Sequence, residues 1–377
     1  MALPGRSIIA EGSLFLDNDT EWRSLSLTPD RTRLALAALI VPLAAMLLIY
    51  RIGWRKSTKV LPWIIAGLGA ASAGFGLAQV FDGGESSLYF YEFTSRGLPV
   101  GFFSNVNHQA SLCLMSLPFT AAIAGNAIAQ GRSGDGVVGR MIVLGAIGLM
   151  QIVGVLAAGS VAGYIMLVPV ALLSGAILRP SKSEGRGRMA GVIVAVFALS
   201  AATVASSPML SGLGTTSFDN DSDMSRRGIY ETALRGIEDH GLLGAGFGSF
   251  ETVFKLYEDP SIVSATYAVH AHNDYLQTWF ELGILGLAII LVLLVWWCWK
   301  FVQVWTMKRD DTVRLRRAAS LALMVIALHS LVDYPLRTIA LSALAGTCLA
   351  LMIVDRRTAP APSGHPSDKP AHNSVSI

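Results

Sequence analysis

Charge is what this sequence most lacks. Asp, Glu, Lys and Arg make up 15% of its 377 residues while 53% are hydrophobic, against about 25% charged residues in a soluble domain. That excludes an ordinary soluble globule and identifies an integral membrane protein. The net charge of +3 is small, and the basic residues lie in short scattered clusters, which excludes a nucleic-acid partner. Cysteine is also scarce. Cys113, Cys298 and Cys348 each fall inside an apolar run, where they read as small core residues and not as a disulfide or metal framework. Residues 1–33 are polar, carry Arg6, Arg23, Arg31 and Arg33, and show no signal-peptide pattern. No internal repeat is evident.

What the chain does have is long apolar stretches. Spanning the hydrocarbon takes about 20 mostly apolar residues. Nine such runs occur, near 34–50, 60–80, 108–129, 138–158, 161–178, 189–207, 283–305, 318–334 and 338–354. Their connections alternate in charge. Lysine and arginine gather after the first, third, fifth, seventh and ninth runs, as in Arg51, Lys59, Arg140, Arg179, Lys300 and Arg317. The positive-inside bias makes those loops cytoplasmic, so residues 81–107 and 208–273 are expected outside. The predicted fold class is all-α, a polytopic helical bundle. Its parts are an extracytoplasmic segment 1–33, six spans over 34–207, an external catalytic loop 208–273, three spans over 274–354, and a disordered cytoplasmic tail 355–377. Nine spans with an internal C-terminus place residues 1–33 outside with nothing to export them. An odd number of further N-terminal spans is therefore expected to precede them. Gly67, Gly69, Gly74 and Gly76 predict small-residue helix packing.

Four polar clusters are candidates for chemistry. In the external loop, Asp223 or Ser225 is placed to cap a helix starting near Arg226. Ile229, Tyr230, Ala233, Leu234 and Ile237 give that helix one apolar face, and Glu231 is four residues from Arg235. The pattern predicts an amphipathic helix lying on the membrane surface, with Arg226 and Arg227 at an N-terminus that favours anions; contact with lipid headgroups is the bland alternative. Gly244-Ala245-Gly246-Phe247-Gly248 permits close backbone approach, to a phosphate or as a turn re-entering toward the membrane, without the lysine of a nucleotide loop.

The second cluster is His270-Ala271-His272-Asn273-Asp274, just before an apolar run. A neutral imidazole suits a general base beside a hydroxyl substrate; a loop histidine bonded to backbone is the alternative. An HxH pair lacks the third and fourth ligands of a zinc site, so no metal and no cofactor is expected. The third cluster is His329, Asp333 and Arg337, spaced by four at the outer end of the eighth run. Ionisable groups at membrane depth are paired or functional, and both an Asp333–Arg337 and a His329–Asp333 pair fit the spacing. Pro335 interrupts the helix before Arg337. The fourth cluster holds Asn105 and Asn107, which either cap the next helix or bind sugar hydroxyls.

Taken in order, Gly101-x-x-x-Asn105-x-Asn107, Arg226-x-x-x-Tyr230-x-x-x-Leu234, Gly244-x-Gly246-x-Gly248-x-Phe250, His270-x-His272-Asn273-x-x-Leu276 and Glu281-x-Gly283 resemble the O-antigen ligase family. That family also includes O-antigen and exopolysaccharide polymerases and protein O-oligosaccharyltransferases. The resemblance covers most of residues 95–340. It implies transfer of a glycan from an undecaprenyl-pyrophosphate donor to a hydroxyl of lipid A-core or of a glycan acceptor, without a metal, at the periplasmic face of the bacterial inner membrane. It gives Arg226 to the pyrophosphate and His272 to the acceptor hydroxyl or leaving group. His270 is the further catalytic candidate. Arg227, Asn105, Asn107, Asn273, Gly246, His329, Asp333 and Arg337 are candidates for substrate binding. Longer members have about twelve spans, so the resemblance implies about three N-terminal spans beyond the nine. One departure stands out: many members carry Ser-Arg where this chain reads Ser160-Val161-Ala162-Gly163, leaving Arg227 or Arg337 to replace the missing cation. Rival readings are a transporter or flippase of lipid-linked sugars, and a catalytically impaired membrane scaffold. Transporters favour broken helices with polar sites at the midplane, whereas these polar residues gather at one set of helix ends.

Overall fold

A computed structural model describes residues 24–82, 85–130, 135–179, 226–258, 268–308 and 310–353. Those residues form helices and turns with no strand among them. In chain order the helices are α1 (Pro29–Ala38), α2 (Ile40–Ile52), α3 (Trp54–Gln79), α4 (Val106–Ala129), α5 (Asp135–Ala157) and α6 (Val161–Leu178), then α7 (Arg226–His240), α8 (Phe250–Phe254), α9 (Asp274–Thr306), α10 (Asp311–His329) and α11 (Ile339–Ile353). Among the described residues, six helical stretches are long and apolar enough to cross a membrane, with α1 and α2 counted as one. This is a helical membrane protein. Of the remaining three apolar runs, the eighth and ninth appear as α10 and the shorter α11. The sixth, 189–207, lies outside the described residues, as do Asp223, Ser225 and the tail.

The bundle is built around α4. Asn105 caps it, its side-chain oxygen accepting from the Asn107 N–H at 2.8 Å. Small residues such as Ala110, Ser111, Ala121, Ala122 and Ala124 let neighbours approach its backbone, and almost the whole helix is buried. It packs against α3, α5, α6 and α10, while α11 packs on α2 and α10. Two of the four expected small-residue positions make close contacts: a Cβ at Gly69 would strike Ser116, and one at Gly76 would crowd Gly101. Gly67 and Gly74 face open space.

At one end of the bundle α10 begins with Asp310, whose carboxylate accepts from the Val313 N–H at 2.7 Å. Arg317, 2% exposed, donates to the carbonyls of Val304, Trp305 and Met307 at 3.0–3.3 Å. A cation thus satisfies the orphan carbonyls that end α9. The N-terminus of α4 and the C-terminus of α10 lie at the opposite end, where the polar clusters meet.

Two local expectations are corrected. Helix α7 begins at Arg226 as its sequence predicts, but its apolar side does not lie on a membrane surface. Ile229, Ala233, Gly236 and Ile237 are buried against α9, with Phe280 so close that a Cβ on Gly236 would collide with it; Leu234 turns outward. Glu231 pairs with Arg227 at 2.8 Å, and Arg235 instead donates to the Thr232 hydroxyl. The eighth run also stops being helical earlier than its hydropathy suggests. Helix α10 ends at His329, and Pro335–Arg337 forms a separate 3₁₀ turn, so His329, Asp333 and Arg337 do not share one helical face.

Candidate functional site

The site grows from a break in α9. At Gly283 the backbone takes φ 61°, ψ −147°, dividing the helix just where its apolar run begins. The glycine-rich loop docks into the break. Ala245 N–H donates to Phe280 O and Gly246 N–H to Glu281 O, both at 2.8 Å, and Gly248 N–H reaches the Glu281 side chain at 3.0 Å. Gly244, Gly246 and Gly248 all have positive φ, and a Cβ on Gly244 would overlap Glu281 O. The sequence allowed this loop to approach a phosphate. The anion it meets is Glu281 of its own chain, and the Gly246 N–H is already engaged.

Glu281 is fully buried. Besides Gly248 it accepts from Gln277 Nε2 at 2.9 Å and Arg337 Nη1 at 2.9 Å. Arg337 Nε lies 3.5 Å from Asp274, which also accepts from Ser330 Oγ at 2.8 Å and the Leu336 N–H at 3.2 Å. Arg337 is therefore bound between two carboxylates. Asn273 is equally committed. Its oxygen caps α9 by accepting from Tyr275 and Leu276, each at 3.0 Å, and its nitrogen donates to Leu331 O. These contacts tie the α9 N-terminus to the turn after α10.

That turn brings Asp333 and Tyr334 against the two loop histidines. His272 is the only non-glycine with positive φ among the described residues, at 49°. Its Nδ1 lies 3.3 Å from Asp333 Oδ1, with the His272 side chain about one-third exposed and Asp333 fully buried. Neither Asp333 oxygen receives a well-directed hydrogen bond among the described residues. Burial opposes its charge, yet the His272 contact, with His329 and His108 nearby, holds the carboxyl well below the usual carboxylate range. The Tyr230 hydroxyl donates to His272 O at 3.1 Å, linking α7 to the same loop. Burial, and the adjacent Asp333 charge, push the Tyr334 phenol up.

The Tyr334 ring lies among three imidazoles, 4.3 Å from His270, 4.9 Å from His272 and 5.0 Å from His108, centre to centre. Burial, then the charges of Arg337 and His272, push His270 down to about 3, so it is a weak base. His329 is bonded through Nδ1 to Ser111. Neither pairing expected for Asp333 forms: Arg337 goes to Glu281 and Asp274, His329 goes to Ser111, and Asp333 is left to His272. Among the described residues no three His, Cys, Asp or Glu side chains are arranged to hold a metal ion.

The cations differ sharply. Arg227 is an exposed residue paired with Glu231. Arg226 is exposed at the start of α7, has no ion pair among the described residues, and its charge is felt at Tyr230 and His329. Ser160 caps α6, accepting from the Gly163 N–H at 3.1 Å, and Gly163 abuts Ala110 of α4. The position that lacks arginine is thus at the same end of the bundle, with Val161 70% exposed. Asn105 gives its oxygen to the cap and also bonds the Tyr334 side chain, while Asn107 is half-buried on the first turn of α4.

Sequence reading missed Tyr334, Gln277 and Ser111. Only Gln277 left a trace, one helical turn before Glu281. A cleft of about 340 Å³ opens beside His270, lined by polar groups that include Gln277, Glu281 and Arg337 and by apolar residues that include Leu34, Leu39, Pro42 and Ile339.

Residues 146–291 match the sequence profile of a family described as O-Antigen ligase. The matched stretch is under half of the chain and holds α6, α7, the glycine-rich loop, His270, His272 and Glu281, but not Asp333 or Arg337. No curated protein matches the chain.

Proposed function

Starting from the O-antigen ligase-like family that this match supports, we propose that the chain is a metal-independent glycosyltransferase. It moves glycan from an undecaprenyl-pyrophosphate donor onto a hydroxyl of lipid A-core or of a growing glycan, at the periplasmic face of the inner membrane. The observation that carries this reading is the half-open His272 held against the buried, otherwise unsatisfied Asp333.

Asp333 takes the Nδ1 side of His272, which fixes the tautomer and leaves Nε2 basic. The acceptor O–H gives its proton to Nε2 while its oxygen attacks the anomeric carbon. The bond from that carbon to the phosphate oxygen breaks, and the lipid diphosphate leaves with the electron pair. Arg226, exposed and without an ion pair among the described residues, stabilises the charge growing on that diphosphate, for which a planar guanidinium suits two phosphate oxygens at once. The cleft beside His270 and Arg337 is lined by both polar and apolar residues, which suits a lipid-linked donor.

Transfer from purified lipid-linked donor by the detergent-solubilised protein tests the reading. His272→Ala is expected to lose about 10²–10⁴ in rate while still binding donor, and EDTA to change nothing. Parental rates from His272→Ala would end it, and loss to EDTA with rescue by zinc would make the histidines ligands. The exposed Val161 where a second cation is expected favours one rival, an impaired scaffold; that reading predicts no transfer by the parent chain either.

The charge alternation supports a histidine end that faces outside and an Arg317 end that faces inside. Cysteine introduced at the exposed Leu242 is expected to react with an impermeant reagent in intact cells, and at Lys308 only after lysis. The opposite pattern would remove the periplasmic assignment.

A further inference from the structure

At the end of the bundle away from the histidines, a cavity of about 710 Å³ opens between the first turns of α3, α5 and α10 and the last turns of α4. That is the size of a small-molecule site, and nothing in the transfer reaction uses it. Asn126 and Thr312 line its inner side, and Lys59 and Arg140 stand at its mouth. Both cations are exposed and neither has an ion pair among the described residues. Behind the wall is Arg314, 2% exposed, which donates to Asn126 Oδ1 at 3.2 Å. The single acid in the lining, Asp311, lies 3.5 Å from Arg314. Among the described residues that line the cavity, two cations, Lys59 and Arg140, therefore meet one acid, and that acid already faces Arg314.

What surrounds the mouth identifies the ligand. Val60, Trp63 and Ile64 on α3 and Val138, Ile142 and Val143 on α5 are large apolar residues exposed by 40% or more. Lys59 and Arg140 thus stand where apolar, lipid-facing surface gives way to polar groups, the level of phospholipid headgroups, and Trp63 is the residue type enriched there. A soluble anion would have no use for the apolar flanks. A basic cavity between spans, open toward lipid, fits an anionic headgroup.

We propose that this cavity binds the phosphodiester headgroup of an anionic phospholipid. Lys59 and Arg140 contact the phosphate, Asn126 and Thr312 the rest of the headgroup, and the acyl chains lie along α3 and α5. The site is independent of the transfer reaction. It clamps α3, α4, α5 and α10 together at the end opposite the histidines.

Titrating the detergent-solubilised full chain with phosphatidylglycerol, with thermal unfolding and native mass spectrometry as readouts, tests this. Each basic residue near a lipid surface is worth about fivefold in binding, so the Lys59→Gln/Arg140→Gln double variant is expected to bind about thirtyfold more weakly. Arg51→Gln, which removes a cation outside the cavity, should bind as the parent does. Lys59→Arg, which keeps the charge, should bind within about twofold of the parent, while Lys59→Gln alone loses about fivefold; that pair decides the matter if the double variant fails to fold. Equal binding of phosphatidylcholine, parental affinity in the double variant, or full competition by glycerol phosphate lacking acyl chains would each overturn the proposal.

Discussion

Glu281 and Asp333 are both fully buried at the same end of the bundle, yet their surroundings are opposite. Glu281 accepts from a glutamine, a backbone amide and an arginine, and each donor comes from a different segment. Asp333 has His272 Nδ1 at 3.3 Å and, among the described residues, no well-directed bond to either oxygen. A saturated buried carboxylate holds segments together. An unsaturated one keeps capacity in reserve for a group that changes protonation or for a ligand. The same contrast separates Arg337, bound on both sides, from Arg226, which is exposed. Residue type alone does not distinguish structural from chemical charge here; the count of partners does.

The largest effect that would sharpen this contrast is on stability. Glu281→Ala leaves Arg337 half-paired in a buried site, and breaking such a pair costs about 3–5 kcal/mol. Thermal unfolding in detergent should show a drop of that size, with the glycine-rich loop released from α9. Full stability with selective loss of transfer would instead make Glu281 a chemical group and reverse the comparison.

The arginines come next. Losing a positioned donor to a leaving diphosphate is worth roughly 3 kcal/mol, so Arg226→Lys, which keeps the charge but not the planar fork, should transfer at least about a hundredfold more slowly. Arg227→Ala removes only an exposed i,i+4 pair and should change stability by less than about 1 kcal/mol. Asp333→Asn should fall between them, at about ten- to a hundredfold in rate, the scale for removing the partner that orients a functional imidazole. Its unfolding temperature should stay near the parent's. A large loss of stability would place Asp333 with Glu281.

Much of the architecture was legible because apolar runs report helices directly. The runs for α2 through α6 and α9 stand out in the sequence, as does the start of α7 at Arg226. The eighth and ninth apolar runs form helices that are more charged or shorter than the six candidate spans: α10 carries Arg314, Arg316 and Arg317 in its first turns, and α11 is brief. In the site, the motifs singled out in the sequence come together at one end of the bundle. It did not give partners, because those join residues far apart in the chain, such as His272 to Asp333 and Ser111 to His329. Spacing within a helix suggested His329–Asp333–Arg337, a pattern that fails once α10 stops at His329. Nothing in the sequence marks Tyr334 as the ring around which three histidines gather. Glycine-rich loops have two common uses, and residue type could not show that this one serves a broken helix.

His270 touches a neighbour of each carboxylate, Tyr334 beside Asp333 and Gln277 bonded to Glu281, so its titration decides which group it joins. Its ring packs at a tilt against Tyr334, the neighbour of Asp333, but its Nδ1 lies 3.4 Å from Gln277 Nε2, which also bonds Glu281. Burial first, then Arg337 and His272, lower it to about 3, against about 6.5 in an unfolded chain. The native imidazole is then neutral where the unfolded one takes up a proton. Below pH 6.5 or so the unfolded state binds more protons, so stability falls as pH drops toward 3 and stops falling from this cause once the native ring titrates. His270→Gln removes that liability. Parent and variant should therefore differ progressively as pH falls from 7 to 4, with the parent losing unfolding temperature faster, and transfer at neutral pH should fall less for His270→Gln than for His272→Ala. That outcome assigns His270 to the structural network of Gln277, Glu281 and Arg337. A pH-independent difference, with transfer lost as severely as in His272→Ala, would instead make it a second working imidazole beside Asp333.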